Sequence, residues 1–204
     1  SWEEYLRTLA RKFKYNLRRA ERLAEEKGEV KFEFFAGGDL RWNIFEKIIQ
    51  INKEAHYPLL YDSTKEQEFH KKLVEQNAIT ELVAVFLLSV DDIPLAYEYG
   101  FVHNERYEAW RSGFDTRFDS KISIGKLLAK LMVKTAFALN YNEIDFLRGD
   151  EAYKLEWKPE SRIYLKNRFV RKNSIVPHFI FIRFPVLRKR IKQLLKSSST
   201  QTGT

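Results

Sequence analysis

The run Arg148-Gly149-Asp150-Glu151 follows a short β-prone segment, Glu143 to Leu147, and Tyr153, Lys154 and Trp157 come directly behind it. Three carboxylates and a phenol within nine residues could move protons. Asp145 sits between Ile144 and Phe146. Burial there would raise its pKa, and a carboxylate with a raised pKa can act as a general base near neutral pH. Asp150 and Glu151 lie just past the strand end, where functional side chains concentrate. The plainer reading pairs Arg148 with Asp150 or uses one of them to cap the next turn. Tyr97, Tyr99, Trp110 and Phe114 could line a pocket for a sugar, with Arg148 beside it, or they could simply be core.

Other chemistries find no support. His56, His70, His103 and His178 are scattered, with no i, i+4 pair, so no zinc-binding spacing exists. The chain has no Cys, which rules out a disulfide framework, a thiolate metal site and a Cys nucleophile, and fits a reducing compartment. There is no Gly-x-Ser-x-Gly elbow and no Walker loop.

Several elements must position these residues. Leu6, Leu9, Phe13, Leu17, Ala20 and Leu23 recur at helical spacing and predict one helix over 3–27, stopped by Gly28, with Arg and Lys on its other face. Val30, Phe32 and Phe34 predict a strand. A helix follows over 43–54, and another starts at Ser63, with Glu66 completing a capping-box pattern, and runs to about Asn77. Segments 81–89, 95–102 and 106–114 predict an antiparallel meander with short turns. A helix over 123–140, a strand over 143–147, a short helical stretch over 152–157, strands at 163–170 and 179–182, and a basic helix over 186–196 complete the order. This order predicts an α+β domain: a mixed, mostly antiparallel sheet flanked by helices, with the helix over 123–140 crossing between parallel strands.

The segments Asp145 to Glu151 with Tyr153, Lys154 and Trp157, Ser112 to Asp115 followed by Ser123 to Leu128, and Lys12 to Ala20 resemble the GNAT-like acyltransferases of cellulose biosynthesis. That group is akin to the Fem-type transferases. The resemblance spans about residues 5–170. It implies the GNAT (acyl-CoA N-acyltransferase) fold and transfer of an acyl group from acetyl-CoA or another acyl-CoA to an amine or hydroxyl. In that fold the turn before the crossover helix binds the CoA pyrophosphate, here through Ser123, Ile124, Gly125 and Lys126. Free N–H groups and the helix dipole attract phosphate there, and Gly125 lets it approach the backbone. The family pattern Arg/Gln-x-x-Gly-x-Gly is replaced by Ser120 and Ser123 at its first two defined positions, and the competing reading is an ordinary helix start capped by Ser123. The resemblance makes Tyr153 a candidate proton donor to the leaving thiolate, beside Asp145 and Asp150 as candidate bases, with Tyr99, Trp110 and Arg148 as acceptor contacts. Tyr153 also reads as a packing residue, which Lys154 and Trp157 beside it suggest.

Composition sets the frame. The 204 residues suit one large domain, and 16 Phe, 10 Tyr and 4 Trp can fill a core. The expected organisation is a basic amphipathic helix over 1–28, the acyltransferase domain over 29–184, a basic helix over 185–196 and a disordered tail over 197–204. From Lys154 to Lys196 there are 13 Lys or Arg against Glu156 and Glu160, a net +11, while the rest holds 23 bases and 26 acids. A basic patch of this kind favours phosphates, nucleic acid or an anionic membrane, or simply keeps a surface solvated. The expected acceptor is a small molecule or glycan. The alternatives are a Fem-like transferase using aminoacyl-tRNA and a non-catalytic module on a membrane surface. No run of about 18 apolar residues or signal peptide appears. The expected location is therefore cytoplasmic, or peripheral at the inner membrane where exopolysaccharide is made. A start at Ser1 without Met fits a piece of a longer protein.

Overall fold

A computed structural model describes residues 1–55, 61, 63–149, 151–163 and 165. The chain divides into two compact units, Ser1–Pro159 and Glu160–Thr204. In the second only 160–163 and 165 are described. The strands expected at 163–170 and 179–182, the basic helix and the tail therefore fall outside the described residues, apart from Ile163 and Leu165.

The first unit is built on strand β2 (Val83–Val90), whose eight residues are all buried. A strand apolar on both faces must be covered on both faces. Ala84, Phe86, Leu88 and Val90 enter one core and Val83, Val85 and Leu87 the other. Around it the sheet runs β1 (Val30–Ala36), β2, β3 (Ile93–His103), β4 (Arg106–Phe114), β5 (Glu143–Asp145) in spatial order. The first three pairings are antiparallel, and β4–β5 is parallel. Helices α1 (Trp2–Thr8), α2 (Arg11–Glu25) and α5 (Ile124–Ala138) cover the first core, and α3 (Trp42–Lys53) and α4 (Thr64–Thr80) the second. A four-residue helix, α6 (Ala152–Leu155), follows β5.

The single helix expected over 3–27 is two. At Leu9 and Ala10 the backbone turns extended, with ψ of 152° and 141°. No Gly or Pro marks the break. Instead the Tyr5 hydroxyl donates to the Trp157 carbonyl at 2.6 Å and Lys158 Nζ donates to the Thr8 carbonyl at 2.5 Å, which fixes α1 against the chain beyond α6. Leu9 is buried at the corner. The α2 stripe Phe13, Leu17, Ala20 and Ala24 then lies on the core, with contacts to α5.

The capping box at Ser63 forms by half. Ser63 Oγ accepts from Glu66 N at 3.2 Å, but the Glu66 carboxylate goes to Arg111 at 2.7 Å. Helix α4 passes Asn77 and ends at Thr80, because the buried Asn77 amide ties the helix to the Gly37 and Val83 carbonyls and accepts from Val83 N.

Two irregularities in the sheet shape the site. The β3–β4 register shifts between Tyr99 and Gly100, so that Tyr99 faces Arg111 and Gly100 faces Ala109. Trp110 is the extra residue of this bulge. Trp110 and Arg111 accordingly pack together, the guanidinium 4.4 Å from the indole, on the α3–α4 side. The second irregularity is the brevity of β5. Its pairing with β4 covers only Arg106–Glu143, Tyr107–Ile144 and Glu108–Asp145. The strand expected to reach 147 stops at Asp145, whose Oδ1 accepts from Leu147 N at 2.7 Å while Leu147 takes a left-handed φ of 55°. Beyond Glu108 the two chains part.

Candidate active site

A cavity of about 1020 Å³ fills the space where β4 and β5 diverge. One wall is the outer half of β4, through Ala109, Trp110, Ser112, Gly113 and Phe114. A second is the turn from Asp115 into α5, with Leu128, Ala129 and Met132 along that helix. The third is Phe146, Leu147 and Arg148, with Glu151, Tyr153, Lys154 and Trp157 behind them. Glu98 of β3 completes the lining.

The start of α5 has no side-chain cap: Ser123 Oγ makes no capping hydrogen bond, so the competing reading of that residue is not what the structure builds. The Ser123 carbonyl accepts from Lys126 N and Leu127 N at 3.0 and 3.1 Å, and the N–H groups of Ser123 and Gly125 find no acceptor among the described residues. Both line the cavity. A Cβ built on Gly125 would come no closer than 3.4 Å to anything, the Phe114 ring being nearest. Its φ is not in the left-handed region either. Neither packing nor backbone conformation requires glycine here. Lys126 also lines the cavity, but its ammonium is engaged by Glu156 at 2.6 Å.

Of the other expected site residues, Arg148 and Tyr153 line the cavity, Tyr153 with 46% of its surface exposed. Burial raises the Tyr153 phenol, and the nearby Glu98 and Glu151 carboxylates add to this. Trp110 reaches the lining, while its ring packs on Tyr99 and Phe101. Tyr99 does not reach it. It lies fully buried on the opposite sheet face, its hydroxyl 3.1 Å from His70 Nδ1. Asp145 is not in the lining either; it forms an ion pair with Arg106 at the β4–β5 edge. Asp150 lies outside the described residues.

The structure adds Glu98 to the candidate residues. This residue faces the same side as Ala96, and its carboxyl makes no hydrogen bond among the described residues. Burial pushes its pKa well above the usual carboxylate range, and the ammonium of Lys154 opposes that rise. Lys154 is itself buried and held by the Arg148 carbonyl at 3.0 Å and by Glu151 at 2.8 Å. The available signal was Ala96-Tyr97-Glu98-Tyr99-Gly100, a single acid inside an otherwise apolar strand. A carboxyl with a raised pKa, a neighbouring phenol and an uncapped helix turn around one cavity suit proton transfer beside a bound anion.

The model of the acetyltransferase (GNAT) domain family matches residues 11–155. Similar solved structures include an aminoglycoside acetyltransferase, meta-AAC0020, from an uncultured soil metagenomic sample, in complex with sisomicin. It is 18% identical with a TM-score of 0.50, over 70% of this chain and 97% of that one. Another is the C-terminal domain of a putative lysylphosphatidylglycerol synthetase from Agrobacterium fabrum, 12% identical with a TM-score of 0.50, over 72% of this chain and 52% of that one. A third is an N-acetyltransferase, PaiA, from Thermoplasma acidophilum in complex with coenzyme A, 12% identical with a TM-score of 0.45, over 64% and 86%. No curated protein sequence matches.

Proposed function

The chain belongs to the acetyltransferase (GNAT) family, whose members use acetyl-CoA, and on that premise we propose that it transfers an acetyl or related acyl group to an amine or hydroxyl of a sugar- or polysaccharide-related acceptor. The supporting observation is the cavity at the β4–β5 divergence, which Glu98, Tyr153 and the uncapped start of α5 share. Its residues fit acyl-CoA. The free N–H groups at Ser123 and Gly125 suit the pyrophosphate, and the bare Gly125 backbone allows close approach. Leu128, Ala129, Met132 and Phe146 suit the apolar arm.

Glu98 takes the proton from the acceptor nitrogen or oxygen as that atom bonds to the thioester carbonyl carbon. A carboxyl whose pKa burial has raised above the usual range is the stronger base that this task requires. The carbonyl oxygen gains charge, and backbone N–H groups on the outer half of β4, which has no pairing with β5 beyond Glu108, would hold it. As the carbon–sulfur bond breaks, Tyr153 gives its phenolic proton to the sulfur and recovers one from solvent. Arg148 and Glu151 at the third wall would meet the acceptor. An amine-bearing sugar suits the carboxylates of Glu151 and Glu98, and the soil enzyme of the same fold is crystallised with sisomicin. On this reading the enzyme works on the cytoplasmic side, at a membrane where exopolysaccharide is made. No helix among the described residues is long and apolar enough to cross one.

A Fem-like transfer from aminoacyl-tRNA is the second reading, supported by the exposed cations Arg11, Lys12, Arg18, Arg19 and Arg22 of α2. Isothermal titration separates the two. Binding of acetyl-CoA at about 1–100 μM supports the first. Absence of binding at millimolar acetyl-CoA, with saturable tRNA binding, would select the second.

A further inference from the structure

Behind the start of α5 lies a second, smaller notch of about 220 Å³. Asn16, Arg19 and Ala20 of α2 form one side, and Lys121, Ser123 and Lys126 the other. The last three also line the main cavity, so the two spaces meet at the turn. We propose that this notch binds the 3′-phosphate on the ribose of acyl-CoA, with Arg19 as its principal contact. This inference rests on the acyl-CoA reading above.

The order of charges along acyl-CoA supports the assignment. The acyl group and its apolar arm occupy the β4–β5 gap, and the pyrophosphate reaches the free N–H groups of the turn. The next anionic group along the molecule is the ribose 3′-phosphate. The next space beyond the turn is the notch. None of its six lining residues is acidic, and three carry positive charge. Lys126 is partly neutralised by Glu156 at 2.6 Å. Arg19 is exposed and has no carboxylate partner among the described residues, so its guanidinium is available to a phosphate in the two-pronged geometry that arginine favours. A notch of about 220 Å³ has room for a phosphate and part of its sugar. The buried Ala20 forms its floor. The position of α2 on α5 creates this space, which gives the basic N-terminal segment a definite task.

The test is isothermal titration of the whole chain and of Arg19→Gln with CoA and with 3′-dephospho-CoA, with thermal melts to check folding. The wild type is expected to prefer CoA by about tenfold, the scale of one charge-assisted contact, and Arg19→Gln to lose that preference while binding 3′-dephospho-CoA unchanged. Equal wild-type affinity for the two ligands would overturn the inference and leave the acyl-CoA reading standing. So would an equal loss for both ligands in Arg19→Gln, which would assign Arg19 to the pyrophosphate. Wild type binding neither ligand would overturn both readings.

Discussion

Glu98 on β3 lies opposite Ser112 on β4, and both residues line the cavity where β4 leaves β5. Directly opposed residues of an antiparallel pair share a face, so the register carries the carboxyl to the space that opens beside Ser112. Glu98→Gln should lower kcat/KM by about 10²- to 10⁴-fold, the usual contribution of a positioned base, with acetyl-CoA affinity little changed by titration. Loss of less than threefold would remove Glu98 from the mechanism.

The same carboxyl has a signature in stability. Its folded pKa is raised, so the folded state binds the proton more tightly than the unfolded state. Stability contributed by this group is present below the ordinary carboxylate pKa and is lost as pH rises toward the raised value. Glu98→Gln should therefore melt higher than wild type near pH 8, with the difference shrinking near pH 4. A constant offset across that range would contradict the raised pKa.

Lys154 opposes the rise at Glu98 from a buried site anchored by the Arg148 carbonyl and Glu151. Lys154→Met keeps most of the volume and removes the charge. The acidic limb of the kcat/KM profile should then move to higher pH, because ionised Glu98 loses a favourable neighbour. A limb that stays in place while activity falls would mean that Lys154 acts only through packing.

Gly125 separates ligand approach from folding. Gly125→Ala should fold normally and gain up to about 1 kcal/mol of helix stability, since the new Cβ stays at least 3.4 Å from its neighbours. Acetyl-CoA affinity should nevertheless fall, and Gly125→Asp should abolish binding. If titration gives Gly125→Ala the wild-type affinity, the turn does not hold the pyrophosphate against its backbone.

Asp145 should behave as a structural residue. Its carboxylate bonds Arg106 and Leu147 N and ends β5. Asp145→Asn should cost about 1–2 kcal/mol for a half-buried pair, seen in denaturant titration, with kcat reduced far less than in Glu98→Gln. A kcat as low as that of Glu98→Gln would make Asp145 part of the catalytic apparatus.

The meander, the crossover helix and the parallel return are legible in the residues alone. Val83–Val90 is apolar throughout and bounded by turns, and the α5 stripe has unbroken helical spacing, so local pattern and buried face agree. So is the turn at Ser123–Lys126, because a glycine at a helix start stands out locally. Long-range contacts set the rest. The break at Leu9–Ala10 follows from bonds to Trp157 and from Lys158, about 150 positions away, and no local residue encodes it. Asp145 is a carboxylate on a strand in both readings, but the β4–β5 register gives it Arg106 as partner. Tyr99 and Glu98 are adjacent in sequence and lie on opposite faces of the sheet. One residue supports a core and the other meets the cavity, and only the three-dimensional divergence of β4 from β5 says which face has an opening.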